Sequence, residues 1–362
     1  MEHTSHKPDV KRLMDVLTGK IKTKEVHLME LAIDVDIMQK YTEQYLKRPW
    51  VAYDRSDKEK RARYWDNVIL CHKAWGYSGF RVSNGLTFPF SMKETNEKSD
   101  TSGRNRQWVD HNGAIRDEKS FADYPWPSLN DVDLFDYEYV SEHLPEGMGI
   151  FACVFGGIFE MVCEYLIGFE ELCFMELDQP ELMEKVIKKT GDLLLDVYSM
   201  VVKIPKVACI FQGDDFGYTE GLMFPPEFYQ KHIFPWHKQL ADIAHGAGIP
   251  YVLHSCGNLR GLGSSLFEFG MDAKHSFEDK GWSVIDFYKE HGDKVGVIGG
   301  VDVDKLCRLP KPELEAYCKE ILDACHVHGR YVFGSGNSIP NYVPFENFLT
   351  MIEVAKQYKI KE

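Results

Sequence analysis

The pattern that decides the fold is a short apolar run ending in polar residues, Ile249-Pro250-Tyr251-Val252-Leu253-His254-Ser255-Cys256-Gly257-Asn258. An apolar run of this length before a turn is typical of a buried strand. Side chains two apart in an extended segment point to the same side, so His254 and Cys256 can converge where the strand ends. Because imidazole and thiolate are both good ligands of Zn²⁺, the stretch predicts a metal site if the fold supplies further ligands there. The alternative is a buried polar pair that faces a turn.

Strand-like runs recur along the chain, and each is followed by an amphipathic helical pattern. The candidate strands are residues 26–32, 79–83, 150–154, 207–212, 251–254, 273–276, 295–299 and 331–334. The clearest candidate helices, three of which have a proline where a first helical turn accepts one, are residues 58–75, 180–202, 226–247 and 312–328. Eight strands that alternate with helices predict an α/β fold, a single (β/α)₈ TIM barrel with parallel strands and no free sheet edge. An open doubly wound sheet is the alternative, although no G-x-G-x-x-G motif follows an early strand.

One segment interrupts this alternation after the second strand. Residues 84–126 are polar and rich in Gly, Ser and Asn, and the segment is too long for an ordinary βα loop. We predict an inserted hairpin or a lid, which would lie over the carboxyl-end face of the barrel. No repeat, low-complexity tract or linker marks a second domain, so residues 1–362 are predicted to form one domain.

Composition and charge exclude several classes of partner. The 42 basic and 56 acidic residues give a formal net charge of −14, which argues against nucleic acid as a partner. The nine cysteines are scattered and form no C-x-x-C pair, as in proteins whose thiols stay reduced. The chain shows no amino-terminal signal region and no apolar run that could span a membrane, so we expect a cytoplasmic location and no membrane partner.

The residues that follow the predicted strands are of chemically active types. In a TIM barrel the carboxyl ends of the strands meet at one face, and the active site lies there. The side chains predicted at this face are carboxylates, imidazoles, a thiol and small polar groups: Glu30, Asp34, Asp214, Asp215, His254, Cys256, His275, Glu278, Asp302, Ser335 and Asn337. Such a set predicts a metal site with acid or base groups beside it.

Each of these residues also has a structural interpretation. Asp214 and Asp215 precede a glycine and could cap the next turn through Asx hydrogen bonds, which we favour for this pair taken alone. Glu30 could pair with a buried Arg or Lys, and His275 could be a hydrogen-bonded core histidine. Asp302 follows a glycine pair and is expected to cap the helix that begins near residue 303.

Several stretches together resemble the uroporphyrinogen decarboxylase superfamily, and more narrowly its corrinoid-dependent methyltransferase branch. The matching stretches follow the family's order: Gly156-Gly157-Ile158-Phe159-Glu160, Gly213-Asp214-Asp215-Phe216-Gly217, His254-Ser255-Cys256-Gly257-Asn258, Gly299-Gly300-Val301-Asp302 and Gly334-Ser335-Gly336-Asn337. The resemblance implies a single-domain (β/α)₈ barrel, in agreement with the strand count. The R-Q-A-G-R motif of true decarboxylases is missing from residues 48–55, which speaks against a substrate with many carboxylates.

The methyltransferase branch implies a zinc site. In that branch Zn²⁺ is held by an H-x-C pair, here His254 and Cys256, and by a cysteine in the loop after the last strand, where this chain has Asn337. Because asparagine is a poor zinc ligand, we expect a carboxylate to complete the site.

Glu30 is the first candidate for this carboxylate, because the first and last strands are neighbours in a closed barrel. Asp214 and Asp215 are the next candidates. The same resemblance leads us to assign catalytic roles to Asp214, Asp215 and His275, and cofactor binding to Tyr218, Ser335 and Asn337.

The resemblance therefore implies a zinc-dependent methyltransferase of anaerobic one-carbon metabolism. No corrinoid-binding D-x-H-x-x-G motif is present, so the corrinoid (cobalamin) is expected to arrive on a separate corrinoid protein. A methoxylated aromatic compound, a thiol or tetrahydrofolate could be the small methyl donor or acceptor. The alternatives are a decarboxylase of uroporphyrinogen or of another small acid, and a relative that binds a ligand without turnover.

Overall fold

The computed structural model describes residues 7–89, 92–98, 105–109, 113–327 and 329–359. The strands are β1 (Gly79–Ser83), β2 (Met92–Lys98), β3 (Asn105–Val109), β4 (Gly149–Cys153), β5 (Val207–Gly213), β6 (Gly217–Tyr218), β7 (Gly221–Leu222), β8 (Tyr251–His254), β9 (Ala273–His275), β10 (Gly296–Ile298) and β11 (Tyr331–Val332). The α-helices are α1 (Val10–Leu17), α2 (Val35–Gln44), α3 (Lys58–Trp75), α4 (Glu118–Asp123), α5 (Phe135–His143), α6 (Ile158–Glu160), α7 (Phe169–Asp178), α8 (Pro180–Val201), α9 (Pro226–Phe228), α10 (Phe234–Gly246), α11 (Ser265–Glu268), α12 (Val284–His291), α13 (Val303–Arg308), α14 (Lys311–Cys325) and α15 (Phe345–Gln357). The other helical turns are the π-helical segments Met161–Leu166 and Tyr229–Ile233 and the 3₁₀ turns Leu129–Asp131 and Leu259–Leu262.

A curled sheet of seven parallel strands forms the centre of the molecule, in the order β1-β4-β5-β8-β9-β10-β11. Consecutive strands of this sheet are separated along the chain by helices, so each connection is a crossover that places helices outside the sheet. The predicted parallel α/β fold is thereby confirmed, and the seven strands lie close to the bounds expected from the sequence.

The predicted first strand, residues 26–32, does not form a regular strand, so the structure has a curled seven-stranded sheet where a closed eight-stranded barrel was predicted. Leu28 makes an isolated parallel bridge with Phe333, just after β11, and Ile33 makes another with Ile339. Between these bridges, the Glu30 carboxyl group accepts hydrogen bonds from Ser335 N and Oγ, so a side chain takes the amide that a backbone carbonyl would bind in a regular ladder. On its other side this segment faces β1 across a cavity, and among the described residues no backbone hydrogen bond closes the sheet there.

Alternating strand residues fill the inside of the curled sheet. Phe151, Phe211 and Val252 of β4, β5 and β8 form one buried cluster, which includes Leu13 and Leu17 of α1. The residues between them in each strand belong to a larger cluster with the surrounding helices. The backbone and side chains of α1 touch the first residues of β4 and β10, so this helix covers the amino-terminal end of the sheet. Access for a ligand is therefore from the carboxyl-end face.

The predicted helices 58–75, 180–202 and 312–328 are confirmed as α3, α8 and α14, with small differences at their ends; residue 328 lies outside the described residues. Asp302 caps α13 by accepting a hydrogen bond from Lys305 N, as the sequence predicts. None of the described helices is long and apolar enough to cross a membrane.

The predicted helix 226–247 is interrupted in the structure by a π-helical turn between α9 and α10. Pro235, in the first turn of α10, has no N–H and cannot donate to the carbonyl of Lys231. A wider turn before the proline accommodates this missing bond. The expectation of one regular helix is therefore wrong at this point.

The inserted segment, residues 84–126, contains an antiparallel hairpin of β2 and β3, in which Met92 pairs with Val109. It continues with α4, whose first turn is capped by Asp117 through Ser120 N. The structure thus places a hairpin after β1. That the segment acts as a lid over the carboxyl-end face stays a prediction.

Candidate metal site

Three neighbouring strands bring the candidate ligands together at the carboxyl end of the sheet. The parallel register of β5, β8 and β9 aligns Gly213, His254 and His275. Asp215 lies just beyond the end of β5, and Cys256 lies just beyond the end of β8. Cys256 N donates a hydrogen bond of 2.8 Å to Asp215 Oδ1, which holds the two loops together.

A glycine is required directly after the cysteine. Gly257 has a φ of 88°, and a Cβ there would lie 2.3 Å from the carbonyl carbon of Gly217. Both the conformation and the close backbone contact exclude a larger residue. This turn fixes the direction in which the chain leaves Cys256.

The side chains of Asp215, His254 and Cys256 form a compact group of possible metal ligands. Their ligand atoms all lie within 4.8 Å of one another. Cys256 Sγ is 3.4 Å from His254 Nε2, and His254 Nε2 is 3.6 Å from Asp215 Oδ1. Ligand atoms around a tetrahedral Zn²⁺ are about 3.5 Å apart, given bonds of about 2.0–2.3 Å. The two separations from His254 Nε2 therefore fit a tetrahedral metal, which would have a further position open.

A chain of hydrogen bonds orients the His254 ring. His275 Nε2 lies 3.1 Å from the carbonyl oxygen of Ser335, which can only accept, so this nitrogen carries the hydrogen. Burial lowers the pKa of His275 to about 3, so its ring is neutral and its Nδ1 is an acceptor. His254 Nδ1, 2.7 Å away, must then donate to it. The lone pair of His254 therefore lies on Nε2, the atom that faces Asp215 and Cys256, as a metal ligand requires.

The electrostatics of the group favour a cation. Burial raises the pKa of the Asp215 carboxyl group, and burial together with Asp215 raises the pKa of the Cys256 thiol. Burial also lowers the pKa of His254 well below its ordinary value. Burial therefore disfavours the charged form of each of the three side chains, whereas a divalent metal stabilises the thiolate and carboxylate forms. One thiolate, one carboxylate and one neutral imidazole balance the charge of Zn²⁺ and are ligands that it prefers.

Glu30, our first candidate for the carboxylate ligand, lies elsewhere. It is buried, and its carboxyl group is engaged by Ser335 N, Ser335 Oγ and Tyr77 OH. Burial raises its pKa to about 8, although the bonds from Ser335 act in the opposite direction. Asp215, a later candidate, takes the position beside the His254-Cys256 pair.

Asp214 does not cap its own turn, and its side chain does not belong to the ligand group. Its carboxylate accepts hydrogen bonds from Phe159 N, Glu160 N and His237 Nε2, so it caps the start of α6 in a different part of the chain. A Cβ on Gly157 would lie 2.0 Å from Asp214 Cγ, which explains the glycine at this position. The fully buried Asp214 is thus placed to hold α6 against β5.

The residues expected to bind a cofactor lie at different depths. Asn337 Nδ2 donates to Cys256 Sγ at 3.3 Å, so Asn337 lies beside the ligand group. The hydroxyl group of Ser335 is fully buried and already bonded to Glu30 and to the carbonyl oxygen of Asn337. Tyr218 is on β6, with its side chain largely exposed at the rim. Their roles in cofactor binding stay predictions.

The sequence-based site did not include two residues that the structure brings to the same place. His254 Cδ2, Arg81 Nη2 and Glu160 Oε2 all lie within 4.0 Å of the position that a Cβ on Gly213 would occupy. Arg81 is the only charged residue of β1, and this isolated charge in a strand was a usable signal. Burial raises the pKa of Glu160 well above its ordinary value, and the charges of Asp215 and Asp214 add to this effect.

The comparison with protein families agrees with this architecture. Residues 138–358, more than half of the chain, match the family model described as uroporphyrinogen decarboxylase (URO-D). The chain belongs to the uroporphyrinogen decarboxylase family. The predicted superfamily is therefore confirmed, and its matched region includes every member of the ligand group.

Two curated relatives match shorter parts of the chain. A methylcobamide:CoM methyltransferase from Methanosarcina mazei is 28% identical over 136 residues, which cover 37% of this chain and 38% of the relative. A uroporphyrinogen decarboxylase from Carboxydothermus hydrogenoformans is 28% identical over 141 residues, covering 36% of this chain and 37% of the relative. The match thus spans little more than a third of each relative's length. The first match supports the predicted methyltransferase branch.

Solved structures show the same fold over almost the whole chain. A methyltransferase from M. mazei superposes with a TM-score of 0.69 at 16% identity, covering 96% of this chain and 98% of the other. A B12-independent methionine synthase from Shewanella sp. W3-18-1, in complex with selenomethionine, gives a TM-score of 0.55 at 11% identity, with 93% and 97% of the two chains covered. At these identities the likeness is one of fold.

Proposed function

We propose that this protein is a zinc-dependent methyltransferase that moves a methyl group between a small methylated compound or acceptor and a corrinoid protein. The observation that carries the proposal is the convergence of His254 Nε2, Cys256 Sγ and the Asp215 carboxylate within 4.8 Å, at the carboxyl end of a URO-D family sheet. The partial match to a methylcobamide:CoM methyltransferase supports the reaction class.

Asp215, His254 and Cys256 would hold the zinc, and other residues would maintain their geometry. When bound, Zn²⁺ supplies Lewis-acid chemistry. It lowers the pKa of a coordinated thiol, or it polarises a methoxyl oxygen, which keeps the electron pair of the O–CH₃ bond when the methyl group is transferred. His275 fixes the ring of His254 through its Nδ1. Asn337 donates to the sulfur of Cys256, which limits the directions in which this ligand can point.

The corrinoid partner would approach the carboxyl-end face. α1 covers the amino-terminal end of the sheet, so the ligand group can be reached from the opposite end alone. The exposed Tyr218 and Tyr342 lie on β6 and in the loop before α15, and they offer aromatic contacts. The sequence contains no D-x-H-x-x-G motif of its own, which is why the corrinoid is placed on a partner.

The metal assignment is tested by a pair of cysteine variants. Cys256→Ser removes the proposed thiolate, whereas Cys307→Ser changes a cysteine of similar, intermediate exposure on α13. We expect zinc affinity to fall by about 100-fold or more for Cys256→Ser, because even residues that only support ligands contribute about 10–100-fold. Cys307→Ser should keep its zinc, as measured by mass spectrometry of the purified proteins. Equal zinc content in the two variants would contradict the assignment.

The reaction class is tested separately with purified protein and methylcobalamin or a methylated corrinoid protein. Cobalt absorbance is followed with a thiol or tetrahydrofolate as acceptor, and in the reverse direction with methoxylated aromatic donors. We expect methyl exchange in at least one combination, dependent on zinc. If no combination exchanges methyl groups, the proposal is wrong even when zinc is bound.

A decarboxylase is the second candidate, because the uroporphyrinogen decarboxylase from C. hydrogenoformans matches at the same identity. Release of carbon dioxide from uroporphyrinogen would support it. Against this candidate, the cavity beside β1 is lined by a single guanidinium, Arg81, which can pair with one carboxylate but not with eight.

A further inference from the structure

A cavity of about 360 Å³ lies between residues 30–33 and β1, and α2 and α3 supply its other walls. Its volume is at the lower end of the range for small-molecule sites, about 300–1,000 Å³. The walls are largely apolar and aromatic, formed by Ile33, Met38, Tyr64, Trp65, Val68 and Phe80. This shape suits a compact molecule with an apolar or flat body.

Arg81 is the single guanidinium in the lining of this cavity. Its Nη2 donates a hydrogen bond of 2.7 Å to Cys153 Sγ, and sulfur is a weak acceptor. Its Nε is buried without a hydrogen-bond partner. No carboxylate in the described part of the chain forms a salt bridge with it. A guanidinium removed from water without an anion is unfavourable, so this position favours an anionic ligand.

The other titratable groups of the lining do not neutralise Arg81. Burial raises the pKa of Glu30 to about 8, so its carboxyl group keeps a proton at neutral pH. Burial lowers the pKa of His72 to about 4, so its ring is uncharged. Tyr53 and Tyr64 are neutral phenols whose pKa values burial raises further. Among the side chains that line the cavity, Arg81 therefore carries the one full charge. Glu160, whose Oε2 lies near Arg81 Nη2 beside Gly213, does not line the cavity, and burial raises its pKa well above its ordinary value.

We propose that this cavity binds a small organic carboxylate, whose carboxylate pairs with Arg81 and whose apolar body lies against Trp65, Val68 and Phe80. The planar fork of a guanidinium matches the oxygens of a carboxylate, and the single positive charge of the lining balances one carboxylate better than a doubly charged phosphate. Tyr53 and Tyr64 line both this cavity and a wider groove of about 990 Å³, so the groove is a route of entry.

The position of Arg81 connects this cavity with the candidate metal site. Arg81 Nη2 and His254 Cδ2 are 3.9 and 3.7 Å from the same point beside Gly213. Arg81 thus lines the cavity and also approaches the side of the His254 ring. As a statement about the substrate of methyl transfer, this inference rests on the proposed function; as a statement about binding it stands without it.

Titration calorimetry with benzoate and benzamide on the wild-type protein tests the carboxylate. The two probes have the same size and shape, but only benzoate is charged. We expect benzoate to bind at one site and benzamide to bind at least about tenfold more weakly. The reason is that hydrogen bonds to a charged group contribute about 1.5–3 kcal/mol. Equal affinities, or no benzoate binding at millimolar concentration, would overturn the proposal. Binding of benzenesulfonate in the absence of benzoate binding would overturn the choice of a carboxylate.

Two cavity variants distinguish the contribution of the Arg81 charge to benzoate binding from the contribution of the cavity volume. Arg81→Met keeps the apolar stem and should weaken benzoate about tenfold without changing benzamide. Val68→Phe fills the cavity and should weaken both probes, and it remains informative if Arg81→Met does not fold. Arg308→Met, which removes an exposed guanidinium on α13, should leave both affinities unchanged. Unchanged benzoate binding in both cavity variants would contradict the assignment.

Zinc content and methyl transfer are measured on the same samples. Loss of benzoate binding in Arg81→Met with zinc retained is the expected result. Benzoate binding without any methyl transfer would reject the proposed function and leave the cavity assignment standing. Methyl transfer in a wild-type protein that binds no benzoate would reject the cavity assignment and leave the proposed function standing.

Discussion

Asp214 and Asp215 are adjacent in the chain but have opposite surroundings. Asp214 is fully buried, and its oxygens accept three hydrogen bonds from Phe159, Glu160 and His237. Asp215 retains 24% of its side-chain exposure and accepts a backbone bond from Cys256 while it faces His254. A carboxylate whose oxygens are all paired with protein donors holds the fold together. A carboxylate that is only partly paired with protein donors still has acceptor capacity for a ligand such as a metal ion.

Replacing each aspartate by asparagine, which has the same shape but no charge, tests this difference. Asp214→Asn should be the most damaging change, because the new NH₂ group must face one of the N–H donors that now bind the carboxylate. We expect a loss of about 3–5 kcal/mol in the free energy of unfolding, as for one broken partner of a buried polar pair. Denaturant unfolding measures it, and a change below about 1 kcal/mol would contradict the structural role of Asp214.

Asp215→Asn should affect metal binding far more than stability. The amide oxygen of the new side chain can still accept from Cys256 N, so the loop keeps its tie to β8. The loss of a negative ligand should lower zinc affinity by about 100-fold, or about 2.7 kcal/mol. Competition with a zinc chelator measures the affinity. If Asp214→Asn and Asp215→Asn have the same effect on zinc and on unfolding, the division of roles is wrong.

Much of the fold and part of the site could be predicted from the sequence. Apolar runs and turn residues placed the strands, and the register of parallel strands then brought His254 close to residues after β5 and β9. The sequence could not distinguish Asp214 from Asp215, because one residue of difference turns a side chain to the other side. It also favoured Glu30, since neither its bonds to Ser335 nor its burial can be read from local sequence.

Arg81 was missed for a related physical reason. Nothing in the pattern of β1 shows that its guanidinium lies beside a cavity without a carboxylate partner. That property depends on how α3 and residues 30–33 pack opposite Arg81, which the local pattern of β1 does not show. Unpaired charge is a property of tertiary packing.

His275→Phe tests the hydrogen-bond chain behind the metal group, and a smaller effect is expected. Phenylalanine cannot accept from His254 Nδ1, so the His254 ring loses the bond that fixes its tautomer. We expect zinc affinity to fall about tenfold. His275→Gln offers an acceptor oxygen and should recover part of the loss. Equal zinc affinity in wild-type protein and His275→Phe would show that the chain does not orient the ligand.

The effect of Glu30→Gln concerns the pH dependence of stability and does not involve the metal group. Glu30 resembles Asp214 in that the protein surrounds it, but burial raises its pKa to about 8 from an ordinary value of 4.5. Between these two pH values the unfolded chain has lost the proton that the folded protein keeps, so the folded state loses stability as the pH rises. Above pH 8 both states are ionised and the contribution becomes constant.

Glutamine cannot titrate, so Glu30→Gln should show a weaker decline of the melting temperature between pH 5 and pH 8 than the wild-type protein. Thermal unfolding at a series of pH values measures this difference, and Glu320→Gln on the exposed side of α14 serves as the control. Parallel curves for wild type and Glu30→Gln would mean that Glu30 is ionised in the folded protein. Its carboxylate would then oppose an anion in the adjacent cavity, and the positive charge assigned to that cavity would be wrong.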